Sequence, residues 1–135
     1  MVKTITTYQG ELHCEVMHQP SGALVATDAP VDNNGKGESF SPTDLVGAAL
    51  AGCMATIMGI VANRKNVCLK GMTVEVGKHM NAEPRRIGKL EVTINVPLPS
   101  DHPDRQLFEH AALSCPVKQS LHPDIEIPIV WNWIG

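Results

Sequence analysis

The sequence predicts an α+β fold in which antiparallel-leaning β-sheets pack around one long, central, buried helix. Two observations carry that expectation. Segments of alternating apolar and polar residues open and close the chain. Between them lies a single long uncharged run, Val46 to Ala62, bounded by helix-capping residues. With 135 residues, the chain is most simply one domain, 1–135. It is large enough to bury roughly two-thirds of its unfolded surface without a disulfide or metal staple.

Residues 2–8, VKTITTY, and 11–17, ELHCEVM, alternate well enough to be strands, with Gln9-Gly10 as the turn of a hairpin. In the second, Leu12, Cys14 and Val16 share one face and Glu11, His13 and Glu15 the other. GALVATD, 22–28, supplies a third strand, and 29–40 is a Gly/Asn-rich loop. At Ser41 the pattern changes. Ser41 suits an N-cap, Pro42 the first helical position, and Asp44 the reciprocal place in a capping box. Asn63-Arg64-Lys65 puts cations at the far end, where the helix dipole favours them.

Two long strands follow, 68–80 and 86–98, joined by NAEPRR. Ile87, Leu90, Val92, Ile94 and Val96 form the inward set of the second. Residues 101–114 read as an amphipathic helix that places Leu107, Ala111 and Ser114 or Cys115 on one face. Cys115-Pro116 interrupts it, because a residue before proline avoids helical torsions. Pro116 then starts a short helix, PVKQSL. Residues 124–134 close the chain as a strand with Ile125, Ile127, Ile129, Trp131 and Trp133 on one side and Pro128 marking an edge or bulge.

Composition narrows the function classes. A net charge of −3 offers no basic footprint for nucleic acid, and the few aromatics leave little for base stacking. The polar N-terminus does not read as a signal peptide, so a cytoplasmic location is expected. The Val46–Ala62 run barely reaches the length of a membrane span. It is rich in Gly and Ala and has no aromatic belt, so a central helix explains it better. Gly47, Ala48, Ala51, Gly52, Ala55 and Gly59 favour close packing, since each helical glycine costs about 1 kcal/mol against alanine. A helix this apolar is hard to cover within one small chain, so a homodimer that shares the core is expected.

The cysteines are Cys14, Cys53, Cys68 and Cys115. With no CxxC and no histidine at ligand spacing, neither a metal nor a cofactor is expected. Buried cysteine ordinarily packs as a small hydrophobe, and Cys14 and Cys68 read as packed strand residues. His79, His102 and His122 adjoin turn signals and read as solvated or structural. Cys53 is mid-helix, where the dipole helps ionisation little. Cys115 precedes a helix start, whose N–H groups favour a thiolate. On the residues alone, Cys115 is the better nucleophile.

SPTDLVGAALAGCM followed later by SCPVKQSL resembles the OsmC/Ohr family of thiol-dependent peroxidases, and the order of strands agrees. The resemblance implies an intertwined homodimer and reverses the roles of the thiols. Cys53 attacks an organic hydroperoxide, and Cys115 resolves the sulfenic acid as a disulfide. An external dithiol, lipoyl or thioredoxin-like, then restores both. Asp44 matches the orienting carboxylate of some branches, while Thr43 stands where the hydroperoxide-resistance branch has an acid. The arginine that the acid orients has no counterpart, since no arginine precedes Arg64. Lys3, His13, His18, Arg85 and Arg86 are the candidates to replace it. The alternative function is a dimeric binding or redox-sensing protein with weak turnover.

Overall fold

The computed structural model describes residues 1–135. Its backbone divides into two compact units, residues 1–46 and 47–135.

The first unit is an antiparallel sheet in the order β1 (Thr4–Tyr8), β2 (His13–His18), β3 (Leu24–Asp28). The turn before β2 is longer than the expected Gln9-Gly10. Gly10, Glu11 and Leu12 have φ of 84°, 52° and 61°, and left-handed residues cannot continue an extended ladder. Glu11 and Leu12 therefore leave the strand. The 29–40 segment, expected as irregular, contains one 3-10 turn, Val31–Asn33. The buried side chains of this unit are polar: Thr27, Asp28 and Ser41. Ile5, Leu24, Val25 and Phe40 are exposed.

Helix α1 (Pro42–Arg64) has the expected bounds. Its start is a capping box: the Ser41 N–H donates to Asp44 Oδ2 at 2.9 Å, and the Asp44 N–H donates to Ser41 Oγ at 3.1 Å. The helix is long and apolar enough to cross a membrane by length and composition. Its buried residues, Gly47, Leu50, Met54, Met58 and Ala62, recur every three or four positions, which is one stripe. A helix expected to be covered on nearly every side thus buries a single face within one chain. At Gly47 a side chain would meet Val76 Cγ1 at 3.3 Å and Leu90 Cδ2 at 3.8 Å. The missing Cβ lets the helix lie close to the second sheet.

That sheet has the order β4 (Thr73–Ala82), β5 (Arg85–Val96), β6 (Ile129–Trp133). β4 and β5 are antiparallel, and β6 runs parallel to β5. Ile87, Leu90, Val92, Ile94 and Val96 are all buried, as expected. The three-residue step from Ile87 to Leu90 is absorbed by a bulge: Met80 faces Ile87, His79 faces Lys89, and Gly88 is left over. β4 starts later than expected because Gly71 takes φ 93° and the Met72 N–H donates to Leu69 O at 2.9 Å in a turn. The closing strand is also shorter. Leu90 and Val92 donate to the carbonyls of Glu126 and Pro128, but the continuous ladder begins at Ile129.

Helix α2 (Arg105–Leu113) begins four residues later than expected, after turns in which His102 donates to Pro99 O and Arg105 to His102 O. It buries Phe108, Ala111 and Ala112. Leu107, expected on the inner face, is 40% exposed, because Phe108 takes the core position. Helix α3 (Pro116–Ser120) starts at Pro116 as expected.

Candidate active site

Cys115 sits between α2 and α3, at the N-cap of α3, with extended torsions (φ −61°, ψ 136°) that suit a residue before proline. It is wholly buried. Its sulfur accepts a hydrogen bond from the Lys118 N–H at 3.3 Å. The Cys53 thiol is a neighbour close enough to act on the acidity of Cys115. Cys53 is half-buried on α1, one position off the buried stripe at Met54.

Burial pushes the Cys115 thiol above its ordinary value. The Lys118 and Val117 N–H groups act against that, and the neighbouring Cys53 adds to the rise. The residue-level expectation that Cys115 ionises more readily is thereby overturned. The helix start supplies the Lys118 and Val117 N–H groups, while complete burial removes the water that would solvate a thiolate, and desolvation is the larger effect.

Neither remaining cysteine is among the groups that act on Cys115. Cys14 lies in β2 opposite Tyr8 and Thr27. Cys68, expected to pack within a strand, is exposed in the segment before β4, because the turn at Leu69–Met72 ends the extended backbone there. Asp44 is brought to Ser41 by the capping box. No group of three metal-ligating side chains converges in the chain.

The cations proposed to replace the arginine are held in different ways. His13 Nδ1 is 2.5 Å from Asp28 Oδ1, and His18 Nδ1 is 2.6 Å from Ser21 Oγ. Arg86 reaches His122 Nδ1 at 3.4 Å and Asp124 Oδ2 at 3.9 Å. Arg85 is also engaged, and Lys3 is exposed. The groups that shift Cys115 include no side-chain cation. The His13–Asp28 pair was invisible to sequence reasoning. Only the β2–β3 register, which sets His13 opposite Asp28, brings the two together.

Residues 35–130, which include both Cys53 and Cys115, match the family model described as OsmC-like protein. No curated protein matches the chain. A solved structure from Psychrobacter arcticus 273-4, described as a candidate osmotic stress induced and detoxification response protein, is 43% identical. It superposes with a TM-score of 0.93 over 98% of this chain and 96% of its own. An organic hydroperoxide resistance protein OsmC from Legionella pneumophila is 16% identical, with a TM-score of 0.75 over 98% and 97% of the two chains. An OsmC like protein from Mycoplasma pneumoniae is 11% identical, with a TM-score of 0.82 over 100% and 98%. The last two show the fold alone. The family match across most of the chain and the 43% identical structure lead to one conclusion: the chain belongs to the OsmC-like family.

Proposed function

We propose that this protein is a cysteine-based reductase of organic hydroperoxides, with Cys53 as the attacking thiol and Cys115 as the resolving thiol. The observation that carries the reading is the pairing of a half-buried thiol, Cys53, with a fully buried one, Cys115, whose acidity it influences. The Cys53 thiolate attacks the distal peroxide oxygen, the O–O bond breaks, and the alkoxide takes up a proton to leave as alcohol. Cys53 is then a sulfenic acid. The Cys115 sulfur attacks it, and the departing hydroxide takes the Cys115 proton to leave as water. An external dithiol, lipoyl or thioredoxin-like, reduces the resulting disulfide and is itself oxidised. The upward shift of Cys115 suits a thiol that stays protonated until its partner has reacted. This cycle requires no cofactor, and its setting is the cytoplasm.

Asp44 enters the reading as an orienting carboxylate. At about 1.5 Å per residue it lies about 13 Å along the helix from Cys53, too far to touch the thiol directly. A homodimer belongs to the same reading. The first unit leaves Ile5, Leu24, Val25 and Phe40 exposed while burying only polar side chains, and α1 leaves Ile60 exposed; each of these observations supports a second copy as cover.

The test is to treat the reduced protein with cumene hydroperoxide and count free thiols. The expected result is loss of two thiols in the wild type, a trapped sulfenic acid in Cys115→Ser, and no fast reaction in Cys53→Ser. Oxidation no faster than that of free cysteine would instead favour a dimeric binding or redox-sensing protein, the reading that the missing arginine supports. Thiols inert until unfolding would exclude both.

A further inference from the structure

The N-terminal unit holds a second polar centre, separate from the thiols. Asp28 is only 5% exposed, and both of its carboxylate oxygens are engaged. Oδ1 meets His13 Nδ1 at 2.5 Å, and Oδ2 accepts from the Glu38 N–H at 3.0 Å. The backbone N–H of Asp28 donates to Phe40 O at 2.9 Å, and Ser39 Oγ donates to Ala26 O at 2.8 Å. One buried residue therefore fastens the end of β3 to residues 38–40, which lead directly into the Ser41–Asp44 capping box.

Beside this pair opens a pocket of about 430 Å³, lined by Gln9, Glu11, His13, Asp28, Lys36 and Glu38 among others. Its rim includes Gly10 and Glu11, part of the Gly10-Glu11-Leu12 turn that is left-handed at all three positions. Non-glycine residues held in such torsions persist only where their surroundings enforce them. Here the Leu12 N–H donates to Tyr8 Oη at 3.3 Å, Ala29 N–H donates to Leu12 O at 3.0 Å, and Lys36 Nζ holds Glu11 at 2.9 Å. The charged groups around the pair are thus Glu11 from the turn, and Lys36 and Glu38 from the 29–40 segment. Lys36 is balanced chiefly by Glu11, with Glu38 and Asp28 contributing. The imidazole is the side chain bonded directly to Asp28.

We propose that His13 and Asp28 form a proton-operated clasp that holds residues 38–40 against the end of β3, closed while His13 is protonated and Asp28 is ionised. When the imidazole loses its proton, Nδ1–H still donates, but the buried carboxylate loses its bonded counter-charge. A buried charge without such a partner draws water or opens its cover. The acid limit follows from the hydrogen bond to His13, which holds the Asp28 carboxyl below its ordinary value against the opposing effect of burial. The stabilisation from that shift is present above the unfolded value of about 3.9. It is lost as pH falls through the lower folded value. The clasp is therefore tightest between these two limits and loosens on either side. It is independent of the thiol chemistry.

Amide hydrogen exchange read residue by residue by NMR tests this directly, since the Glu38 N–H is bonded to the clasp. Its protection factor, corrected for intrinsic exchange and followed across a pH series, is expected to be roughly tenfold higher with the imidazole protonated than with it neutral. In His13→Gln the step disappears and protection stays at the low, high-pH level. In His13→Arg the charge is permanent and protection stays high throughout. His18→Gln, which alters a histidine bonded to Ser21 instead, keeps the wild-type step. A flat wild-type profile, a step that survives in His13→Gln, or a step abolished by His18→Gln would each overturn the proposal.

Discussion

Ser41 and Asp44 exchange two hydrogen bonds, each backbone N–H donating to the other's side chain, at 2.9 and 3.1 Å. Both bonds satisfy N–H groups that a helix start leaves without intrahelical partners. The pair thereby sets where α1, and with it Cys53, begins. Ser41→Ala is expected to lose about 1 kcal/mol, and Asp44→Ala a similar amount. Because the bonds are reciprocal, the double mutant should lose clearly less than the sum of the two. Urea denaturation of the four proteins measures this, and strictly additive losses would refute the cooperative cap.

Gly35 and Gly88 make opposite demands. A Cβ at Gly35 would fall 1.6 Å from the Ala29 carbonyl oxygen, which is backbone; at Gly88 it would fall 2.2 Å from Asn81 Oδ1, the end of a side chain. Backbone cannot step aside without moving the 29–40 segment, whereas an asparagine can change rotamer. Gly35→Ala is expected to cost about 2–3 kcal/mol, and Gly88→Ala less than about 1 kcal/mol. Thermal melts of the two variants provide the comparison. Equal losses would show that the 29–40 segment relaxes freely.

What could be read in the sequence was what local chemistry dictates. Helix α1 announces itself by Ser41, Pro42 and Asp44 at one end and Arg64 at the other, and its bounds are as expected. The inward set of β5 follows from alternation, and even its irregular step from Ile87 to Leu90 was visible, although the bulge at Gly88 behind it was not. Misreadings arose where a non-local partner decides. The parallel pairing of β6 with β5 leaves no trace in the alternation of either strand. The inner face of α2 turns on whether Leu107 or Phe108 meets the core. For the candidate site, Cys115 was recognisable as a helix-start cysteine, but its complete burial was not. That burial reverses its acidity, and it depends on residues distant in sequence.

The raised Cys115 thiol has a consequence for stability. Burial, the largest cause, favours the protonated form in the folded state. An unfolded cysteine ionises near about 8.5, so the unfolded chain loses this proton first as pH rises. The stabilisation is therefore complete below that value and is lost as pH climbs through the higher folded value. Between about pH 7.5 and about pH 10, wild type should lose more stability to denaturant than Cys115→Ala. Iodoacetamide should also alkylate Cys115 slowly near neutral pH and faster as pH rises. Parallel pH profiles for the two proteins would contradict the shift.

Glu109 ties α2 to the last strand. Its Oε1 accepts from Arg105 Nε at 2.9 Å and from Trp133 Nε1 at 3.1 Å. The Arg105 guanidinium lies 5.3 Å from the centre of the Trp133 ring. The carboxylate is only partly exposed, which raises its worth above that of an ordinary surface ion pair. Glu109→Ala leaves the indole N–H without its acceptor and is expected to cost about 1–2 kcal/mol. Glu109→Gln keeps an acceptor oxygen but loses the charge, so it should cost about half as much. A double-mutant cycle between Arg105→Ala and Trp133→Phe should give a coupling of about 0.5–1 kcal/mol from the cation–ring contact and the shared carboxylate. Zero coupling, or equal losses for Ala and Gln at position 109, would reduce the cluster to independent surface contacts.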